Sequence, residues 1–342
     1  MRTERWTEEK LNALLATPSV ALIEDMKRIS GDIMVLGAGG KMGPTLCVLA
    51  KNAIRAAGID KKVYAVSRGS DPIASQLLRD SGVEVIPADL LDKEKLYALP
   101  DVENVIYMAG KKFGTDGCEW QTWAMNSVLP AFVCDKFKHA NIVAFSSGNI
   151  YPIVPVSGGG CTEKDAPGPN GEYAMSCLAR ERTFEYAANT YGTKVFIYRL
   201  NFAVDLRYGV LFDVADKILR GEKISLSTPC FNFIWQGSAN EIAIRGLLHA
   251  DAPAKVMNVT GPETVSIRRV AEKLGEYLGR EPLFDGEEGC DAYLNDASLA
   301  METFGYPSVS AETLIRWQAE WLLDGGRTLG KPTHFEERKG KY

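Results

Sequence analysis

Past residue 30, short apolar runs stopped by glycine or charge alternate with longer segments whose apolar positions recur every three to four residues. Asp32-Ile-Met-Val-Leu36 is the first such run, and glycines end it, as expected of a buried strand. Val63-Tyr-Ala-Val66, Val83-Glu-Val-Ile86, Val105-Ile-Tyr-Met108, Ile142-Val-Ala-Phe145 and Val195-Phe-Ile-Tyr198 repeat the pattern. Helical periodicity fills 43–57, 72–81, 92–99, 119–139 and 172–190, with Gly58 and Gly82 as stops. Strands alternating with helices predict an α/β fold, a Rossmann-type doubly wound parallel sheet covered on both faces. Ahead of it, residues 1–30 predict one or two short amphipathic helices. Thr7 can cap a segment with Leu11, Leu14 and Leu15 on one face, and Ser19 a second after Pro18. After residue 205 the rhythm loosens, with helices expected at 210–220, 239–250, 266–279 and 311–324. The last residues, KPTHFEERKGKY, read as a solvated tail.

Composition narrows the function. The chain has 342 residues, 46% of them hydrophobic, enough for one large core or two modest ones. Lys plus Arg is 39 and Asp plus Glu is 44, which gives no electrostatic case for a nucleic-acid or anionic-membrane partner. No apolar stretch approaches the roughly 18 residues that span a bilayer, and the first twenty residues contain no signal-peptide core. The seven cysteines, at 47, 118, 134, 161, 177, 230 and 290, form no C-x-x-C pair. A reducing, cytoplasmic setting fits them better than a disulfide framework or a zinc cluster. His139, His249 and His334 are far apart, so no metal site is expected.

Chemistry enters at the end of the first strand, in Gly37-Ala38-Gly39-Gly40-Lys41-Met42-Gly43. The first glycine permits a tight turn, the middle ones let the backbone approach a pyrophosphate, and the last lets helix and strand pack closely. The following helix start offers free N–H groups and partial positive charge to phosphates. Strand before and helix after make this a dinucleotide-binding turn; the bland alternative is a connection with surplus glycine. At the end of the second strand, Val66-Ser67-Arg68-Gly69 lacks the acid that would bind an NAD ribose. Ser67 and Arg68 suit the 2′-phosphate of NADP, with NAD the alternative; Arg68 can instead lie over the adenine in solvent. Asp89 and Leu90 follow the third strand, where they border the adenine or Asp89 caps a helix.

Further motifs follow in order: Met108-Ala109-Gly110, Asn126, Phe145-Ser146-Ser147-Gly148-Asn149-Ile150-Tyr151, Glu172-Tyr173-Ala-Met-Ser-Cys177, Arg199-Leu-Asn201 and Asn258-Val-Thr-Gly261. With the glycine turn, this set resembles an extended, atypical short-chain dehydrogenase/reductase of the NAD-dependent epimerase/dehydratase family, over about residues 31–325. The resemblance implies four segments. They are a helical extension (1–30), a dinucleotide-binding Rossmann domain (31–205), a smaller C-terminal substrate-binding α/β part (206–325) and a tail (326–342). It implies that Tyr173 is the acid/base beside the nicotinamide and that Ser147, or its neighbour Ser146, orients the substrate oxygen. Ala109, Gly110 and Asn201 would border the cofactor. Asn126 would hold a relay water or only fix its helix. It also implies a homodimer joined through helices near 119–139 and 172–190.

The resemblance breaks at one place. The Lys expected four residues after the Tyr is Cys177, either a small core residue or a reactive thiol. A neutral thiol cannot lower a tyrosine pKa by charge. Arg180 stands roughly 10 Å further along the helix and is expected to be out of reach. Lys111 and Lys112, at the mouth of strand four, are the nearest cations in prospect; Lys112 is the candidate, against the bland reading of two solvated lysines. On the substrate side, Leu226-Ser-Thr-Pro-Cys-Phe-Asn-Phe-Ile-Trp235 carries no Arg or Lys for a nucleotide diphosphate. A free sugar, sugar acid or polyol is therefore expected, held by Ser147, Asn149, Asn232 and Trp235 with Gln236. The alternative is that these aromatics fill the core. Trp120 and Trp123 line the same pocket or a subunit contact. Two functions compete: an NAD(P)-dependent oxidoreductase or epimerase, and a dinucleotide-binding regulatory or sensor protein that the missing Lys favours. Dehydratase chemistry needs an acid beside the Ser, where Gly148 and Asn149 stand.

Overall fold

A computed structural model describes residues 5–114 and 117–341; residues 1–4 of the expected extension and Tyr342 of the expected tail lie outside it. Seven parallel strands form the central sheet: β1 (Ile33–Leu36), β2 (Val63–Ser67), β3 (Glu84–Pro87), β4 (Asn104–Tyr107), β5 (Asn141–Ser147), β6 (Lys194–Leu200) and β7 (Lys255–Val259). Their order is β7-β6-β5-β4-β1-β2-β3. The winding reverses at β1, which lies between β2 and β4. At such a switch point the strand ends splay and leave a crevice for ligand.

Side chains alternate across the sheet, as strand geometry dictates. Ile33 and Val35 enter one apolar layer with Leu46, Ala50 and Ile54 of α3 (Gly43–Ala56). Met34 and Leu36 enter the other with Leu129 and Val133. Both layers are dry, so β1 and β4 read as unbroken apolar runs. The β3 edge is half-exposed and charged, with Lys62 paired to Glu84.

The N-terminal extension forms α1 (Glu8–Leu15) and α2 (Val20–Arg28), capped by the Thr7 and Ser19 hydroxyls. It ties the two halves together. Leu22 and Met26 join the sheet layer, while Leu11 and Leu15 join a separate C-terminal core with Trp235, Leu274 and Trp321. Buried Arg245 pairs with Asp25 at 2.7 Å, fixing α2.

Three departures have physical causes. The single helix expected at 119–139 is α6 (Glu119–Trp123), a π-helical turn at Ala124–Val128 and α7 (Leu129–Lys136). Pro130 has no N–H for the Asn126 carbonyl, which accepts instead from Arg180 Nε at 3.4 Å. The seventh strand comes from 255–259, so the sheet draws on chain beyond residue 205. The expected solvated tail is packed: Thr333 and Phe335 are buried, and Phe335 lies edge-on to Phe231 at 6.1 Å. Charged neighbours mask this apolar anchor in the sequence. Among the described residues no helix is long and apolar enough to cross a membrane.

Candidate active site

The cleft opens at the C-terminal ends of β1, β4, β5 and β6, with a volume of about 370 Å³. Its floor is the glycine turn. Gly37 has φ +90°, and a Cβ there would lie 2.6 Å from the backbone N of Ala109. A Cβ on Gly43 would lie 2.4 Å from the Ala38 carbonyl oxygen, so only glycine lets α3 start so close to the turn. Gly39 abuts Ser67, its Cβ position 3.0 Å from the Ser67 Cβ. Gly40 is different: its nearest neighbour would be the Gly37 oxygen at 3.5 Å. The turn thus bares its backbone toward the cleft at Gly40, Lys41 and Met42, a cradle of the shape a diphosphate needs. Thr45 steadies it, donating to the Met42 carbonyl and accepting from Gln236 and Asn240.

The opposite wall is α8 (Gly171–Tyr191) with the end of β5. Its inward stripe reads Ala174, Cys177, Arg180, Glu181 and Phe184, so two charges are buried along with apolar groups. Tyr173 in the first turn faces the cleft with Ser146, Ser147 and Asn149. Burial raises its pKa well above the usual value; Arg180 and a hydrogen bond with Ser147 oppose that shift. Burial also holds the Cys177 thiol up and neutral, hydrogen-bonded to Tyr173. Ser146 points away, donating to Glu181 Oε1 at 2.5 Å. Glu181 forms a buried ion pair with Arg199 at 2.7 Å. Arg199 also donates to Tyr151, whose hydroxyl donates to Asn258 at 2.9 Å. This chain of polar groups locks β5, β6, β7 and α8 behind the site.

Lys112 enters the cleft from the loop after β4, its Nζ 5.6 Å from the Tyr173 ring centroid. Burial lowers its pKa to about 8. Lys111 turns aside to Gln121 at 2.8 Å. Asn126 joins this loop to α8: it bonds the Lys111 N–H and carbonyl, Ser176 and Arg180. Its amide is fully engaged by protein, as the helix-fixing reading expects. Arg180 was expected out of reach, yet its guanidinium donates to the Phe145 carbonyl at 2.8 Å and acts on Tyr173. The 10 Å axial rise separates backbones, and a long side chain reaching back covers it.

Gly110 and Asn201 line the cleft, and Ala109 packs on Gly37. Ser67, Arg68, Asp89 and Leu90 stand at the ends of β2 and β3, outside the lining. Arg68 and Asp89 are exposed, and the cap of the next helix is Asp92, not Asp89. Two substrate expectations are corrected. Trp235 is buried in the C-terminal core, edge-on to Trp317 at 5.8 Å, because its strand turns that face inward. Asn232 bonds Asn201 and the Asn295 carbonyl and lines a different cavity of about 410 Å³. Gln236, beside Trp235, does line the cleft. Trp123 donates to Glu172 at 2.5 Å, and Trp120 is exposed. Three groups that sequence reading passed over also line the cleft: Phe113, Tyr208 and Thr333.

A family model described as the NAD dependent epimerase/dehydratase family matches residues 33–255. Similar solved structures include UDP-glucuronic acid 4-epimerase from Bacillus cereus in complex with NAD: 18% identity, 85% of this chain and 98% of that chain, TM-score 0.68. UDP-glucose 4-epimerase from Thermotoga maritima, solved with UDP-glucose, has 19% identity, 86% and 99% coverage and TM-score 0.68. The Thermus thermophilus UDP-glucose 4-epimerase complex with NAD has 19% identity, 84% and 98% coverage and TM-score 0.67. No similar sequence is found among curated proteins.

Proposed function

The chain belongs to the NAD dependent epimerase/dehydratase family, and from that premise we propose that it is an NAD(P)-dependent oxidoreductase or epimerase acting on a carbohydrate. One observation carries the reading: Tyr173, Ser147 and Lys112 share a cleft whose floor is the bare backbone of Gly37 to Gly43. Gly37, Gly39, Gly40, Lys41, Met42 and Gly43 would hold the dinucleotide diphosphate, with Ala109, Gly110 and Asn201 beside it. When bound, the nicotinamide would give or take a hydride.

The chain's own groups handle the proton. Tyr173 keeps its proton at neutral pH because burial disfavours the phenolate. It is therefore an acid toward a substrate carbonyl oxygen and becomes a base only after giving that proton up. Ser147 aligns the substrate oxygen with the Tyr173 hydroxyl. Lys112, protonated below about pH 8, and the fixed guanidinium of Arg180 would compensate the phenolate, a task the neutral Cys177 cannot perform. Ser67 and Arg68 support a preference for NADP, although the NAD-bound structures above leave NAD as the comparison to make. Replacing Arg68 with Ala should weaken NADPH binding about tenfold and leave NADH unchanged if a 2′-phosphate is held there.

A carbohydrate substrate is supported by the polar groups around the cleft, including Asn149 and Gln236. A homodimer through α6, α7 and α8 is supported by exposed Trp120, Val128, Met175 and Tyr186 on those helices and the π turn. The test is turnover with a panel of sugars and sugar acids, comparing the parent with Tyr173→Phe. Substrate-dependent change of coenzyme absorbance, cut about a thousandfold in the variant at unchanged NADH affinity, supports the reading. Coenzyme binding without turnover of any of them would favour the sensor instead.

A further inference from the structure

The C-terminal segment crosses from α9 (Val210–Arg220) back to the start of α8. The Leu329 N–H donates to the Arg207 carbonyl at 3.0 Å. Thr333 donates its N–H at 2.8 Å and its hydroxyl at 2.5 Å to one oxygen of Asp213. Glu336 pairs with Lys217 at 2.6 Å, and Arg338 pairs with Asp291. Asn170 donates to the Arg338 carbonyl at 3.1 Å. A Cβ on Gly171 would fall 2.2 Å from the Gly340 oxygen, so the strap lies hard against the turn that launches Tyr173.

Between these anchors the segment passes the cleft. Thr333 lines it, and the His334 ring lies 5.6 Å from Phe113. His334 has φ +56°, a left-handed conformation uncommon outside glycine and kept only where surroundings enforce it. Phe113 and Tyr208 also receive Lys41, its Nζ 3.1 Å from the Tyr208 centroid and 5.0 Å from Phe113. Lys41 therefore leans out of the glycine turn toward the strap. Burial chiefly, then Lys112 and Lys331, lowers its pKa to about 7, while Asp213 opposes this. Asp213 already accepts two hydrogen bonds from Thr333. Positive charge thus gathers on the side of the cleft away from Tyr173, an arrangement that an incoming anion stabilises.

Building on the carbohydrate reading, we propose that the C-terminal strap is the substrate-side wall of the cleft. There Lys41 and Lys331, beside His334, hold a carboxylate, so the substrate is a sugar acid rather than a neutral sugar. A negatively charged group near Lys41 could also be the coenzyme diphosphate, and the test separates the two sources.

Full-length protein is titrated with D-gluconate, D-glucuronate and D-glucose, with and without saturating NADH, following tryptophan fluorescence. One of the acids is expected to bind at least about tenfold tighter than glucose. Lys331→Met, at an exposed position, should erase most of that margin. Thr333→Val, which frees the strap from Asp213, should do the same with unchanged glucose affinity. Both variants should keep NADH affinity within about twofold, which also reports an intact fold. Acids no tighter than glucose, or a Lys331→Met variant with full acid affinity, overturn the proposal. A loss that falls on NADH affinity instead assigns the anion to the coenzyme and overturns it too. Absence of NADH binding in the parent defeats the dinucleotide reading alone, because the acid titration without coenzyme still decides the strap.

Discussion

The two walls of the cleft are built by opposite means. The glycine turn works by lacking side chains: Gly37 and Gly43 sit where any Cβ would strike backbone within 2.6 Å. The α8 wall works by burying charge: Arg180, Glu181 and Arg199 are satisfied only by one another, by Asn126, by Tyr151 and by main-chain carbonyls. A steric requirement is absolute and local. A buried charge network is conditional, since each member is stable only while its partners remain.

Substitutions can break this contrast. Gly37→Val should have the largest effect. The positive φ and the Ala109 contact leave no room, so we expect a loss of about 3 kcal/mol or more and no measurable coenzyme binding. Thermal unfolding and NADH titration read both. Arg199→Met should come next, costing about 3 kcal/mol by stranding Glu181 in the interior. Urea unfolding of Arg199→Met against the double variant with Glu181→Leu checks this, because removing both charges should restore much of the loss.

Lys112→Met should separate function from stability. The Lys112 pKa is lowered to about 8 by burial. Its proton therefore favours the unfolded chain at neutral pH, and the penalty fades as pH rises through the unfolded value. The variant should be more stable than the parent at pH 7 by about 1–2 kcal/mol and indistinguishable near pH 10.5. Turnover should fall about a hundredfold. A variant that is less stable at pH 7 would show that Lys112 is held by favourable contacts and not strained by burial. Gly40→Ala should be the mildest. With the nearest atom at 3.5 Å, stability should change by less than about 1 kcal/mol, with any effect confined to NADH affinity.

The same contrast explains what was legible in the sequence. Strands buried on both faces announce themselves as apolar runs, and the steric glycines stand in order from 37 to 43. Tyr173 and Ser147 are found by motif, since the nearest residues along the chain set their geometry. Arg180 was passed over because spacing along a helix measures backbone, not the reach of a guanidinium. Trp235 was misjudged because a run such as Cys230-Phe-Asn-Phe-Ile-Trp235 does not say which face is wet. The tail was misread because Glu336, Glu337, Arg338 and Lys339 dominate its composition, while Phe335 and Thr333 decide where it goes. Contacts between residues far apart in sequence, such as Thr333 with Asp213, leave no periodic trace.

The account rests on a coenzyme lying over the glycine turn, against Tyr173. Its most direct measurement is the fluorescence titration of NADH and NADPH with the purified parent and with Gly37→Val. The account predicts saturable micromolar binding of at least one coenzyme by the parent and none by the variant. A parent that binds neither, or a variant that binds as well as the parent, would contradict it.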